Sequence, residues 1–548
     1  MSRSLFLIAS VGAAALAAGV AIAAPSAPRL DVPLMQRTVE TLASDAYEGR
    51  APSTPVEAKV LKYLIAQMKA VGLKPGGEKG GWLHTVPTVE LTSGKHTPIT
   101  VGGLSLNYGD DYVAVTFREV PKTQITDAPM VFVGYGINAP ELGWNDYAGV
   151  DMRGKVAVIL INDADWMAQD ETGTFKGRRM TYYGRWTYKF EEAARQGATG
   201  ALIIHDTFPA AYGWNVVKSS WSGAQYAVSD NKKGMDNAQS VGWISQSAAQ
   251  RLFATAGKDY PALVEAARHK GFAPVPLGVK ASWSFDTAIR RSTSHNVVGI
   301  LPGKVAPKEY VLYSAHWDHL GLCAPEAKGS DRFCHGAVDN ATGVAALLAL
   351  AKANVQAGPA ARSQVFVALT LEESGLLGSE YYARHPLYPL AQTVGGVNMD
   401  ALLPGGASRD YAMVGGDKSE LSDIFRNVLN EQGLREGPEE HVERGHYYRS
   451  DHFSLAKRGV PMFDISRGSD LVAGGRAAGE AAARDYNEIR YHQPSDAYAP
   501  DWDWSGISQD VRLYYRLGRV LADGRMWPNW RPGDEFRAIR DASRKPRK

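Results

Sequence analysis

Cysteine is scarce in this 548-residue chain, which has only Cys323 and Cys334. So few thiols exclude a disulfide-rich scaffold, and the spacing of the pair is too wide for a typical thiolate zinc site. One disulfide across the intervening loop is the expectation. Neither sign of charge is in excess: 60 basic against 58 acidic residues leave a formal charge of +2, so no general field exists to capture nucleic acid, and none is expected as a partner. After the first two dozen residues no apolar run is long enough to span a bilayer. Internal repeats and extended low-complexity tracts are also missing. What remains, 45% hydrophobic and 22% charged, is the composition of a globular protein with more than one core.

The chain opens with Arg3, an apolar stretch and Ala21-Ile-Ala-Ala24, a pattern that predicts a signal peptide over 1–24 and export to the periplasm or beyond, without stable membrane insertion afterwards. At the other end a tail is expected over 527–548, with its basic cluster 537–548 solvated and Trp527-Pro-Asn-Trp530 packing back on the body. Helical spacing over 58–71 ends at Gly72. Strand-like runs at 310–315, 365–371, 394–399 and 461–465 alternate with helical stretches at 341–356, 378–384 and 419–431, and a closing helix follows at 507–522. Such alternation predicts an α/β fold with a mainly parallel mixed sheet flanked by helices, over 25–127 and 280–526. The block 128–279 changes character, with its own strand-like runs, and reads as an inserted β-rich domain.

Two adjacent carboxylates, Glu372 and Glu373, close the apolar run 365–371. Charges placed there cost desolvation and mutual repulsion unless a cation or a proton transfer offsets them. His316, Asp339, Asp400 and His492 also fall just after strand-like runs, where open α/β sheets place their sites. With Glu373 they offer two imidazoles and three carboxylates, a donor set that favours zinc over magnesium or calcium. Two divalent ions, three carboxylates and one hydroxide balance to neutrality, so two Zn2+ per chain are expected, with Asp339 as the natural bridge. Glu372 is then left free as a general base. Asp318 is placed to orient His316, and Tyr491 to meet a developing oxyanion. His319 is a sixth donor, set aside because five complete the pair.

The ordered motifs Ser314-Ala-His-Trp-Asp318, Gly336-Ala-Val-Asp-Asn-Ala-Thr-Gly343, Glu372-Glu-Ser-Gly-Leu-Leu-Gly-Ser379, Asn398-Met-Asp400, Ser450-Asp-His452 and Tyr491-His492 closely resemble the co-catalytic zinc aminopeptidase family. That resemblance implies a zinc exopeptidase fold of the phosphorylase/hydrolase-like type. It also implies one zinc on His316, Asp339 and Asp400 and the other on Asp339, Glu373 and His492, with Glu372 as base. Gly134-Tyr-Gly136 and Ala193-Ala-Arg-Gln-Gly-Ala198 make the inserted block resemble a protease-associated domain. Two departures stand out: His335 occupies a position where many relatives have asparagine, and no proline follows Ser450-Asp-His452.

The resulting expectation is an exported aminopeptidase acting on peptides, its oligomeric state open. The alternatives are a carboxypeptidase or dipeptidase using Arg449 or Arg467 for a terminal carboxylate, then a one-zinc glutaminyl cyclase, then a metal-free binding ectodomain. His205, His295, His452, Asp464 and Asp496 are read as satisfied structural residues. The stretch His446-Tyr-Tyr448 could line a cleft or pack on its own domain.

Overall fold

A computed structural model describes residues 30–324 and 326–543; the expected signal peptide and the last five residues of the tail lie outside them. Helices Val32–Leu42 and Glu57–Ala70 open the fold. The first is capped by the Asp31 carboxylate, which accepts from Leu34 N. Strand Ala306–His316 runs parallel to Arg362–Leu369 on one side and Thr393–Asn398 on the other, with the short strand Met462–Phe463 parallel beyond it. Every residue of Arg362–Leu369 is buried, which is why this segment shows an unbroken apolar run in place of alternation. Helices Gly343–Gln356 and Ser505–Asp523 contribute to the main core, together with the opening helices.

A second lobe has its own parallel strands, Lys122–Phe132, Val156–Leu160, Gly200–His205 and Ser240–Ser245, paired in that order. Expected to be β-rich, it also carries helices such as Trp186–Arg195, Trp214–Ser222 and Gln246–Thr255. Its core takes Ile99, Val101 and Tyr112 ahead of the expected boundary at 128, and Trp283 and Phe285 after the expected boundary at 279. The boundaries therefore need correction. Strand Val275–Leu301 is one element of 27 residues that pairs with Lys122–Phe132 in the second lobe and with Arg362–Leu369 in the first. One sheet thus runs through both lobes by way of this strand, which leaves no break for sequence reasoning to find.

The lobes also meet through side chains. Tyr182 packs against Phe453 at 5.3 Å and Phe536 at 5.9 Å between ring centroids. Met180 N donates to Val442 O at 3.1 Å, and Arg179 pairs with Glu439. Tyr447 and Tyr448 are buried at this junction, so the tyrosine pair packs on the protein. The basic C-terminal segment is not wholly solvated, a second correction. Within helix Arg537–Ser543, Arg540 is buried and donates to Thr393 O and Val394 O at 2.8 and 2.7 Å. Trp530 is buried too, its Nε1 donating to Gly459 O.

Cys323 and Cys334 are disulfide-bonded, 11 residues apart in sequence. A closed loop of that size is worth about 2–4 kcal/mol in chain-entropy terms. Replacing both cysteines by serine is expected to lower the denaturation midpoint accordingly. An unchanged midpoint would mean that the paired strands Gly321–Leu322 and Phe333–Cys334 hold the loop unaided.

Candidate metal centre

His316, Glu373 and Asp400 lie at or just after the carboxyl ends of parallel strands, while Asp339 and His492 reach the same place from the turns Ala337–Thr342 and Tyr486–Arg490. His316 ends its strand, and its Nε2 lies 3.1 Å from Asp400 Oδ1 and 3.2 Å from Asp339 Oδ1. Across the site His492 Nε2 lies 3.2 Å from Asp339 Oδ2 and 3.1 Å from Glu373 Oε2. The two oxygens of Asp339 thus face different histidines. His316, Asp339 and Asp400 form one group of donor atoms spaced to hold a metal ion, and His319, Asp339 and Glu373 form another.

His319, set aside in the sequence reading, is part of this cluster: its Nδ1 is 2.6 Å from Glu373 Oε1. The signal was present, a histidine three residues after His316, but sequence could not show that the turn after the strand folds it back over Glu373.

The chemistry of the donors fits divalent cations. His492 Nε2 is buried and close to two carboxylate oxygens, yet it makes no hydrogen bond of acceptable geometry. The charges agree. Burial pushes Glu372 well above the usual carboxylate range; His316 opposes this, while Asp400 and Glu373 add repulsion. Burial likewise raises Asp318 to about 8. Burial disfavours charge on His492 as well, but the close carboxylates of Asp339 and Glu373 prevail and lift it to about 10. Burial opposes ionisation of Asp339 and Glu373 too, but the neighbouring histidines hold both below the usual carboxylate range, so negative charge gathers in a buried cluster, which a bound cation would offset.

Each ligand loop is fastened. Asp496 accepts from Val338 N at 2.9 Å and Asp339 N at 3.0 Å, so this satisfied aspartate holds the Asp339 loop. Asn340 donates to Met399 O and accepts from Gly343 N and Ala401 N, tying the Asp339 loop to the Asp400 loop. Ser450 Oγ donates to Asp400 Oδ2 at 2.7 Å and accepts from Asn398 Nδ2 at 2.8 Å. Asn296 joins Thr370 N to Gly378 O around the glutamates. Leu371, Ala401 and His492 have positive φ of 58°, 49° and 59°, conformations that side chains resist and that concentrate at functional sites.

Asp318 acts differently from the expectation. Its carboxylate is 3.8 Å from His316 Nδ1, beyond hydrogen-bond range, while its backbone carbonyl lies 3.2 Å from that nitrogen. The carboxylate instead accepts from Glu372 N at 3.2 Å. Tyr491 stacks on His492 at 3.8 Å and is 46% exposed, beside the cluster and open to solvent.

His335 is engaged by Asp45 and the Pro494 carbonyl, and His295 by Glu57. Arg467 is committed to the carbonyls of Leu403 and Gly406. Sequence reasoning missed Arg50 altogether. Its buried guanidinium donates to the carbonyls of Leu42, Trp317, His335 and Gly336.

Residues 296–515 match the family model for Peptidase family M28. The chain is 32% identical over 139 residues to Aminopeptidase NAALADL1 of Mus musculus, a match covering 24% of this chain and 17% of that protein. Aminopeptidase YwaD of Bacillus subtilis (strain 168) is 29% identical over 147 residues, 26% of this chain and 27% of that protein. Among solved structures, an aminopeptidase from Aneurinibacillus sp. strain AM-1 aligns with a TM-score of 0.45 and 19% identity, covering 91% of this chain and 96% of that one.

Proposed function

Residues 296–515 belong to peptidase family M28, and from that premise we propose that the chain is a dizinc exopeptidase, an aminopeptidase that removes the first residue of a peptide. The observation that carries this reading is the Asp339 carboxylate, whose two oxygens face His316 and His492 separately, with Glu372 outside both donor groups. His316, Asp339 and Asp400 would hold one ion, and Asp339, Glu373 and His492 the other. Bound there, zinc supplies Lewis-acid polarisation of a carbonyl and a nucleophile at neutral pH.

The chain's own groups do the rest. Glu372 takes the proton of the attacking water and returns it to the leaving amine as the C–N bond breaks. Asp318 fixes Glu372 through its backbone N–H. Tyr491, exposed beside His492, is positioned to donate to the oxyanion. His319 holds Glu373 in place. The Cys323–Cys334 bond supports an oxidising location, periplasmic or extracellular. The second lobe, docked beside the site, would form one wall of the substrate cleft.

Elemental analysis of the purified chain, together with hydrolysis of an amino acid anilide and of its N-acetylated form, tests this. Two zinc ions and cleavage of the free-amine substrate alone are expected. One ion per chain would point to the cyclase, and none to a binding ectodomain. Glu373→Gln is expected to lose metal first, so zinc content should fall below two per chain; a content unchanged at two would mean that Glu373 is not a ligand.

A further inference from the structure

We propose that the second lobe binds a free amino acid with an apolar side chain, in a cavity of its own that contains none of the metal-ligand residues. The cavity has a volume of about 330 Å³, at the lower end of the roughly 300–1,000 Å³ usual for small-molecule sites. It opens at the carboxyl ends of all four parallel strands of that lobe. Tyr135 comes after Lys122–Phe132, Ile161 after Val156–Leu160, Asp206 after Gly200–His205 and Gln246 after Ser240–Ser245, and all four residues line it. Helices cover both faces of these strands: Phe190 and Ala193 join the core that takes Ala157 and Ile159, while Leu252 and Phe253 join the core that takes Val156 and Val158. A crevice beyond the strand ends is where open α/β sheets hold small ligands.

The walls combine three kinds of group. Arg268, just after helix Tyr260–Ala267, is half-buried, with its guanidinium 5.9 Å from the ring centroid of Trp166, and both residues line the cavity. The Arg268 Nε is enclosed and has no hydrogen-bond partner. The Glu265 carboxylate lies 3.5 Å from it, beyond good hydrogen-bond range, and is mostly exposed. Asp206 carries the opposite charge, and the donors it accepts from, Phe208 N at 3.2 Å and Gln246 Nε2 at 3.3 Å, are neutral. Aromatic rings link the two charges: Tyr135 is within reach of Arg268, and Tyr260 within reach of both Asp206 and Tyr135. Leu160, Ile204 and Val264 supply apolar wall. A guanidinium with a free donor suits a carboxylate, and an aspartate among aromatic rings suits an ammonium. The small molecule that carries both charges and an apolar remainder is a free amino acid. A neutral sugar would leave both charges of the site unanswered. On the peptidase reading such molecules are products of the reaction, but the site does not depend on that reading.

Calorimetric titration of the zinc-loaded chain with L-leucine, with L-leucinol, which lacks the carboxylate, and with N-acetyl-L-leucine, which lacks the ammonium, tests this. Leucine is expected to bind, and removal of either charge to weaken binding about ten-fold or more. Arg268→Gln should bring leucine down to the level of leucinol, and Asp206→Asn to that of the acetylated form. Both variants should hydrolyse an amino acid anilide at the parent's rate, with thermal unfolding showing that they are folded. Val264→Trp, which fills the cavity from a half-buried position, should also lose leucine, and it decides the matter if a charge variant fails to fold. Binding at the metal-ligand cluster is common to parent and variants and drops out of the comparison. Leucine binding that persists unchanged in Arg268→Gln and Val264→Trp would overturn the site. So would a parent that binds no leucine at millimolar concentration, or binds the three compounds equally. Failure of the peptidase reading shows separately, as a parent that hydrolyses no anilide, and leaves the binding comparison intact.

Discussion

Glu372→Gln is expected to lower turnover by ~10²–10⁴-fold, the usual contribution of a positioned general base, while zinc stays bound. The amide keeps the size of the side chain and the backbone bond to Asp318, but it cannot accept a proton. Glu372 suits the role by its surroundings as well as by its place. Burial and the neighbouring carboxylates of Asp400 and Glu373 raise its proton affinity, against the pull of His316, and its Oε2 stands 4.0 Å from His316 Nε2. Single-turnover rates on metal-loaded protein, with zinc measured on the same sample, separate loss of the base from loss of the metal. Near-normal turnover with full zinc would remove Glu372 from the mechanism.

Much of this site was legible because its residues break the rules of their surroundings. Charged residues closing a buried, mostly apolar run are costly, and Glu372-Glu373 and His316 are such residues. The parallel sheet was legible for the related reason that segments buried on both faces, such as Arg362–Leu369, show continuous apolar runs. Features that depend on three-dimensional return of the chain were not. His319 could be placed on Glu373 only once the turn after His316 was known. Asp318 was expected to orient His316, but its carboxylate accepts from the Glu372 backbone and its carbonyl is what lies near the imidazole. The lobe boundary was hidden by strand Val275–Leu301, a single element that pairs in both lobes. Arg540 was read as solvated because a basic tail usually is, and nothing local announces that one of its guanidiniums caps carbonyls of a distant strand.

Arg50→Met is expected to destabilise the fold by roughly 3–5 kcal/mol, since each buried acceptor left without a donor costs about 1–3 kcal/mol and some of the loss is recovered by relaxation. Arg50 is completely buried, and its four acceptors come from three separate parts of the chain: Leu42 at the end of the first helix, Trp317 after the strand carrying His316, and His335 and Gly336 before Asp339. Gly336 has φ of 57°, and a Cβ there would lie 2.7 Å from the Arg50 guanidinium and 2.2 Å from the Asp339 carbonyl oxygen, so the arginine and the Asp339 loop are fitted to one another. Burial lowers Arg50 to about 10, with Asp496 and Asp339 opposing the shift, so the guanidinium remains charged at neutral pH. That positive charge behind the ligand loop helps to hold its carboxylates together before any cation arrives. Two losses should therefore appear in Arg50→Met: a lower denaturation midpoint, and weaker zinc retention during dialysis against a chelator under conditions where the variant is still folded. Arg50→Lys, which keeps the charge but cannot reach four carbonyls, should recover part of the zinc retention and little of the stability. If Arg50→Met unfolded at the parent's midpoint, the carbonyls would have to be satisfied by other donors, and the arginine would not be what joins the opening helices to the metal-ligand loops.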